Sequence, residues 1–394
     1  MKFCVMSRVR PINYGIEHIK CDVSQNNMIV NEIKKDLMNK ESINPKEYIF
    51  DKVYDKNYNN DDLFNDFGME IAENIIKKID TTFYVYGQTG SGKTHTIMGT
   101  DEIPGLLTLI LNFVKTYQNI KLTFNSIQIY NNKCYDILNN NNEIYEREDA
   151  YGKVNLTNIK SITLNNNISN IIDLIKKNRV VGKSGQNDAS SRSHLLFQIN
   201  NGNNFLKILD LAGSERASES VYINKDVFRE NAEINQSILN LKECIRGLKN
   251  NNAHIPYRGS KLTRILKDSF ERRTENYILA TVSPEKENIA DSINTLNYIS
   301  DFQIIKKKPT VKLPRIQTNL NNKPGNILNN KYDLSPNFKL LMNNRNELDI
   351  NNKNKNKLFN YITRNKTTYK YKTQILEYID KEIKLLLDIK NNLN

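Results

Sequence analysis

Thr82-Phe83-Tyr84-Val85-Tyr86-Gly87-Gln88-Thr89-Gly90-Ser91-Gly92-Lys93-Thr94 passes from a β-type apolar run straight into GxxxxGK[ST]. A strand before the glycines and a helix start after them is the context in which that pattern cradles phosphate. Gly87, Gly90 and Gly92 let the backbone turn tightly, so successive N–H groups of the loop point at phosphate oxygens, helped by the positive end of the following helix. Lys93 is expected to bridge the β- and γ-phosphates, with Thr94 as the first Mg²⁺ ligand. A second element supports the first. Phe205-Leu206-Lys207-Ile208-Leu209 reads as a strand ending at Asp210, and an acidic residue at that tip holds the Mg²⁺ shell through water. The chain goes on Leu211-Ala212-Gly213-Ser214-Glu215, and the Gly213 N–H can sense whether a γ-phosphate is present. A third, Asn187-Asp188-Ala189-Ser190-Ser191-Arg192-Ser193-His194, is a cluster of hydroxyls with one Arg that, alone, reads equally as a capped turn.

Working outward, Lys2–Arg8, Leu122–Tyr130, Leu195–Ile199 and Tyr277–Val282 also read as strands. Leu63–Ile79, Leu106–Tyr117, Ile168–Val181, Asn231–Leu248 and Lys261–Phe270 carry apolar residues at helical spacing. Such alternation over some 300 residues predicts one α/β domain, a P-loop NTPase with a central, mostly parallel or mixed sheet flanked by helices on both faces. After Pro309 an Asn/Lys-rich stretch punctuated by Pro314, Pro324 and Pro336 reads as a basic linker over 310–368, largely disordered. In 369–392 Leu376, Ile379, Ile383 and Leu386 follow the seam spacing of a short coiled coil, or of a helix that docks on something else.

The 394 residues are 38% hydrophobic and 26% charged, enough for a substantial core. No apolar run approaches the ~18 residues of a membrane-spanning helix, and the start of the chain lacks a secretion signal. A soluble intracellular protein is expected. Four cysteines and four histidines are scattered without metal-ligand spacing, which argues against a disulfide framework or structural zinc. The net charge of +13 is uneven: residues 310–394 carry a surplus of +9 and residues 1–309 only +4. A basic tail suits a polyanion, and composition does not choose among nucleic acid, an anionic membrane and an acidic cytoskeletal polymer.

The three segments together resemble the motor domain of the kinesin family: GQTGSGKT at 87–94 is similar to its P-loop, NDASSRSH at 187–194 to switch I and DLAGSE at 210–215 to switch II, in the family's order. Val5-Met6-Ser7-Arg8-Val9-Arg10-Pro11, Ile129–Leu138, His254–Arg264 and Thr295-Leu296-Asn297-Tyr298 resemble four further family segments, so the likeness covers roughly residues 2–309. It implies a three-layer motor domain over 1–309, ending in a neck linker at 304–309, that uses ATP and Mg²⁺. Arg8, Arg10, Pro11 and His95 would flank the adenine, a flat stacking platform. Ser191 would join Thr94 on Mg²⁺ when switch I closes, Asn187 and Ser190 would lie near the γ-phosphate, and Arg192 and Glu215 would pair as a latch. Such a latch gates hydrolysis by assembling the groups that position water and stabilise spread charge.

The same resemblance implies microtubule-stimulated ATP hydrolysis with movement along microtubules, plus-end directed by analogy. The protein would be located in the cytoplasm on the microtubule cytoskeleton, the spindle included, with a homodimer through the last helix and with neither nucleic acid nor membrane as partner. The track face would be Arg229–Leu248, Lys249–Pro256 and Tyr257–Phe270. Arg229, Lys242, Arg246, Lys249, Arg258, Lys261, Arg264 and Lys267 are the expected contacts, part of ten cations against five acids between Arg229 and Arg273. A basic stripe suits an acidic polymer and makes binding sensitive to salt.

Departures qualify that picture. Glu233 and Gln236 reduce the basic character of a contact helix, Asp301-Phe302-Gln303 stands where the family favours Arg-Ala-Lys, and Lys307 replaces the usual linker Asn. With only Met1 and Lys2 before the first strand, an N-terminal cover strand is expected to be absent and the power stroke altered. Ile33-Lys34-Lys35-Asp36-Leu37 falls in the insertion where depolymerising kinesins carry a basic finger, so depolymerase activity is an alternative. A non-cycling microtubule binder is another. Asn330-Lys331-Tyr332-Asp333 spells a guanine-reading motif, but it lies in the Asn/Lys-rich tail with no strand before it, so a GTPase is disfavoured.

Overall fold

A computed structural model describes residues 3–35, 41–117, 120–150, 154–164, 168–180, 192–215 and 225–303. Within these, strands are β1 Phe3–Val9, β2 Ile19–Asp22, β3 Asn27–Lys35, β4 Glu41–Ile49, β5 Lys52–Tyr54, β6 Thr81–Gly87, β7 Thr123–Tyr130, β8 Lys133–Asp136, β9 Asn142–Glu148, β10 Val154–Thr157, β11 Ile162–Thr163, β12 His194–Asn201, β13 Asn204–Asp210 and β14 Glu275–Val282. The helices are α1 Asn60–Leu63, α2 Met69–Ile76, α3 Lys93–Met98, α4 Leu106–Lys115, α5 Ile168–Val180, α6 Lys225–Lys249, α7 Lys261–Ile265, α8 Lys267–Glu271 and α9 Ile289–Ser300.

The order β10-β9-β8-β7-β12-β13-β6-β14-β1-β5 makes one sheet, with β11 added beside β7. β13, β6, β14, β1 and β5 run parallel, whereas β7, β8, β9, β10 and β12 form an antiparallel wing. β6 is central and all seven of its residues are buried, because both faces of a parallel sheet are covered by helices. Successive side chains serve opposite layers. Tyr84 and Tyr86 join Leu209, Ile278, Leu241 and Leu296 on the α6–α9 side, while Phe83 and Val85 join Ile71, Ile110 and Ile172 on the α2–α4–α5 side. The parallel strands therefore end together at Gly87 and Asp210, and there the nucleotide motifs meet.

Several boundaries differ from the expected ones. The helix expected over Leu63–Ile79 starts at Asn60, where Asn59 and Asp62 form a capping box, passes through a π-turn at Phe64–Gly68 and stops at Ile76. Lys261–Phe270 divides at Leu266 into α7 and α8, and the helix expected from Asn231 already begins at Lys225. Residues 19–49, for which no element was expected, form a separate sheet β2-β3-β4. Asparagine has a use here. Asn26, Asn131, Asn132, Asn140, Asn141, Asn158 and Asn251 are seven of the eight non-glycine residues with positive φ among those described, a backbone region Asn tolerates better than other L-residues. The neck linker expected at 304–309, the linker expected at 310–368 and the helix expected at 369–392 lie outside the described residues.

Candidate functional site

Between β6 and α3 the chain turns through Gly90 at φ +77° and Gly92 at φ +103°, left-handed values that favour glycine. Lys93 is 6% exposed, and its ammonium donates to the carbonyls of Gly87 at 2.8 Å and Gln88 at 2.9 Å. The Ser91 hydroxyl donates to the Gln88 carbonyl at 2.7 Å and lies 2.7 Å from Thr281 Oγ1 of β14, which pins the loop to the sheet. With only six residues in α3, the loop's own N–H groups matter more for an anion than the helix dipole.

The segment after β13 runs beside this loop, Leu211 N–H donating to Val85 O at 3.1 Å and Ser214 N–H to Gly87 O at 3.0 Å. Glu215 then turns back. Its carboxylate accepts the Thr89 N–H at 2.8 Å and the Thr89 hydroxyl. A Cβ on Gly213 would sit 2.4 Å from the Glu215 carboxylate oxygens, so a side chain at 213 would push that carboxylate aside. An anionic oxygen on a loop amide is the contact a phosphate makes. At the tip of β13, Asp210 Oδ2 accepts the Thr94 hydroxyl at 3.0 Å and pairs with Arg179 of α5 at 2.9 Å. Asp210 Oδ1 is buried without a hydrogen-bond partner among the described residues, as an acceptor for a metal-bound water would be. The residues present thus fit ATP with Mg²⁺. Arg179, near the end of the expected helix Ile168–Val181, carried no signal in the sequence beyond being a cation there.

The four residues expected to flank the adenine sit in different surroundings. Arg8 is 7% exposed, its guanidinium held by Asn60 Oδ1 at 2.8 Å, Thr96 Oγ1 at 2.8 Å and the Tyr58 carbonyl at 2.9 Å. Burial lowers its pKa to about 10 against the opposing pull of Asp62. It is a buried bracket between β1, α1 and α3, because its donors are consumed inside the fold. Arg10 pairs with Glu285 at 2.8 Å, while Pro11 is exposed and His95 half-buried. Burial, then the charge of Arg8, holds the His95 imidazole below its ordinary pKa, which favours the neutral ring. Asn187, Ser190 and Ser191 lie outside the described residues. Arg192 lines a cavity of about 120 Å³ with His194, Glu233 and Ser237.

On the expected track face the stripe is basic in composition but paired in space. Lys242 and Arg246 both reach Asp301, at 2.6 and 2.9 Å, and Lys249 donates to the Gln303 carbonyl at 2.9 Å. Glu148 takes Arg258 at 2.8 Å and Lys267 at 2.7 Å. Glu146 takes Lys261 and, at 3.3 Å, Arg264. The hydrogen bonds of Lys267 and then Arg258 hold the Glu148 carboxyl at about 2. At Asp301 burial pushes the pKa up, but Lys242 and Arg246 outweigh it and hold the group below its ordinary value. The Arg229 side chain lies outside those described. Glu146 and Glu148 were missed in the sequence; their i, i+2 spacing on β9, which puts both on one face, was the available signal.

Residues 8–305 match the family described as "Kinesin: Kinesin motor domain". Kinesin-like protein KIN-13B of Arabidopsis thaliana is 32% identical over 328 residues, 78% of this chain and 48% of that protein. Kinesin-like protein KIF24 of Homo sapiens is 32% identical over 360 residues, 85% of this chain and 26% of its own length. Kinesin-related protein 13 of Dictyostelium discoideum is 32% identical over 332 residues, 77% of this chain and 26% of its own. The chain therefore spans half or less of the length of these relatives. With the P-loop, Asp210 and the returning segment 211–215 assembled at one end of the sheet, and with the profile match covering nearly all of residues 1–309, this chain belongs to the kinesin family and carries its motor domain.

Proposed function

We propose that this chain hydrolyses ATP with Mg²⁺ under the control of microtubules and converts the cycle into movement along them, plus-end directed. The observation that carries the reading is the meeting of Glu215 with the P-loop amide of Thr89. A carboxylate that sits on a phosphate-binding amide must leave when a phosphate oxygen arrives, so nucleotide binding and the position of segment 210–215 are linked. ATP with Mg²⁺ supplies the transferable γ-phosphoryl group and the charge that neutralises it. The protein's part would be positional: the 88–92 amides and Lys93 would orient the phosphates, Thr94 and Asp210 would hold the metal's shell, and Glu215, once displaced, would be available to Arg192 as the latch, with Asn187, Ser190 and Ser191 expected near the γ-phosphate. Steady-state hydrolysis by the full chain, with and without microtubules at low and moderate salt, tests it. Strong stimulation is the expected result; bound nucleotide without stimulation would replace it with a non-cycling binder.

A second reading is favoured by the hairpin of β3 and β4, two nine-residue strands in register from Asn27–Ile49 to Lys35–Glu41. It lies in the insertion where depolymerising kinesins carry a basic finger, with Lys34 near its end 58% exposed. Gliding of microtubules over the immobilised full chain supports movement; shortening of stabilised microtubules from their ends supports depolymerisation instead.

A further inference from the structure

Lys207 stands in the middle of β13, between Leu206 and Ile208, and is 4% exposed. Side chains alternate along a strand, so it shares its face with Phe205 and Leu209, two core residues of the α6–α9 layer. A lysine at that position puts a charge where the pattern calls for an apolar residue, and a buried ammonium is costly unless it is paired and hydrogen-bonded. One of its donors is met by the Ile265 carbonyl at the end of α7, at 3.0 Å. Beside it lies the ring of Phe205, whose centroid is 4.5 Å from Lys207 Nζ and 5.1 Å from the Arg272 guanidinium, so two cations share one ring.

Two carboxylates attract this ammonium, and among the described residues none pairs with it. Asp80 is taken by Arg272 at 2.7 Å and by the Phe205 N–H at 3.0 Å. Asp268 of α8 stands on the wall of a cavity that Lys207 also lines. Burial, against the pull of Asp268 and with the push of Arg272, lowers the ammonium's pKa to about 8, so most of it still carries its charge at neutral pH. The other walls hold hydrogen-bonding groups in a fixed order. Gln198 donates to Asn200 Oδ1 at 2.7 Å, Asn200 to Asn125 Oδ1 at 3.1 Å, and Asn125 to Ser161 Oγ at 2.7 Å, which leaves the Ser161 proton for a ligand. The cavity holds about 220 Å³, below the ~300 Å³ at which pockets for drug-sized ligands begin, and so suits a molecule of a few heavy atoms.

We propose that this cavity binds a small oxyanion, a phosphate or a short carboxylate, with Lys207 as its charged anchor and Ser161 as a second donor. A charge-assisted hydrogen bond from a desolvated ammonium is among the stronger polar contacts, and a bound anion would also offset the repulsion between Lys207 and Arg272 across Phe205. None of the described walls comes from 87–94 or 210–215, so the site is separate from the nucleotide cradle.

The test is isothermal titration calorimetry of the full chain, saturated with MgADP to occupy the P-loop, with sodium phosphate and separately with sodium succinate, each against chloride at constant ionic strength. Saturable binding of one or both is the expected result: phosphate alone assigns an inorganic ligand, succinate alone an organic one, and both an oxyanion recognised by its charge. Lys207→Met, which keeps the stem and removes the charge, should weaken binding by about tenfold or more, the scale of one hydrogen bond to a charged group. Asp268→Asn, which removes the opposing charge from the wall, should tighten it by about threefold. If Lys207→Met melts too low to measure, the Asp268→Asn titration decides by itself. No saturable binding of either anion to wild type overturns the proposal. So does binding to Lys207→Met at wild-type strength, or to Asp268→Asn without a gain, since either result places the anion elsewhere.

Discussion

Two ends of this molecule carry dense charge and use it in opposite ways. At the nucleotide end the ionic groups converge on a loop: Lys93 on two carbonyls, Glu215 on an amide, Thr94 and Arg179 on one oxygen of Asp210, with no partner for the other oxygen among the described residues. On the face of α6, α7 and α8, Lys242, Arg246, Arg258, Lys261, Arg264 and Lys267 are each matched by a carboxylate from a distant part of the fold. The first arrangement is poised for an anion; the second has already been answered by the protein's own acids. A count of charges along a sequence therefore gives the capacity of a face to bind a polyanion, but the pairing sets how much of that capacity is free.

The contrast breaks most severely at Lys93 and Glu215. Lys93→Ala is expected to weaken nucleotide binding by roughly 10²-fold or more, because the ammonium is the point charge of the cradle; fluorescent-ADP titration checks it. Glu215→Ala removes the carboxylate from the Thr89 amide and the latch in one step. Nucleotide affinity should stay level or rise slightly, while microtubule-stimulated turnover falls by roughly 10²–10³-fold, the range for losing one preorganised group around the transferring phosphoryl. Undiminished turnover would show that Glu215 serves only to cover the loop.

How much of this was legible in the sequence follows the same division. The nucleotide end could be read because its groups are contiguous: 87–94 is one loop and 210–215 one segment, and the strand before each is an unbroken apolar run. The face of α6 to α8 could be read only as composition, since its answering acids are remote. Glu146 and Lys261 are 115 positions apart, Glu148 and Lys267 119, Arg246 and Asp301 55. Asp301 stood out as a departure from the family, yet its role as the joint partner of Lys242 and Arg246 needed the packing of α9 against α6. The β2-β3-β4 sheet escaped notice because its outer face keeps Ile43 and Ile49 at 67% and 61% exposure, which blurs the alternation by which a half-buried strand is recognised. Arg8 fitted a stacking motif by position, and only the side chains of Asn60 and Thr96, far along the chain, show why it is buried.

Asp301 offers the next sharpest test. Asp301→Ala frees Lys242 and Arg246 together, and microtubule affinity should rise by about threefold at low salt, the scale of one or two exposed ion pairs, with a steeper fall as salt is added. Co-sedimentation at two ionic strengths measures it, beside a melting curve to follow the loss of the clasp between α6 and α9. Unchanged affinity with a lower melting temperature would mean that the two cations serve the fold and do not face the track.

Glu148→Gln should produce the smallest effect. The carboxylate neutralises Arg258, whose side chain is 80% exposed, and Lys267, at 14%, so the change chiefly returns one accessible cation to the surface. Binding to microtubules should tighten by about twofold at low salt and converge with wild type near ~0.2 M, where the Debye length is shorter than the span of the stripe. The pH dependence separates this from a general charge effect. The Glu148 carboxyl is held at about 2, below the roughly 4.3 of an unfolded glutamate. Its contribution is complete above the unfolded value and is lost as pH falls toward the folded one. The difference between variant and wild type should therefore be the same at pH 6.0 and pH 7.5. If it closes at pH 6.0, where even an unpaired glutamate stays ionised, the effect does not arise from the Glu148 charge; if it persists at both, the acids of β9 set how strongly this motor domain holds an acidic track.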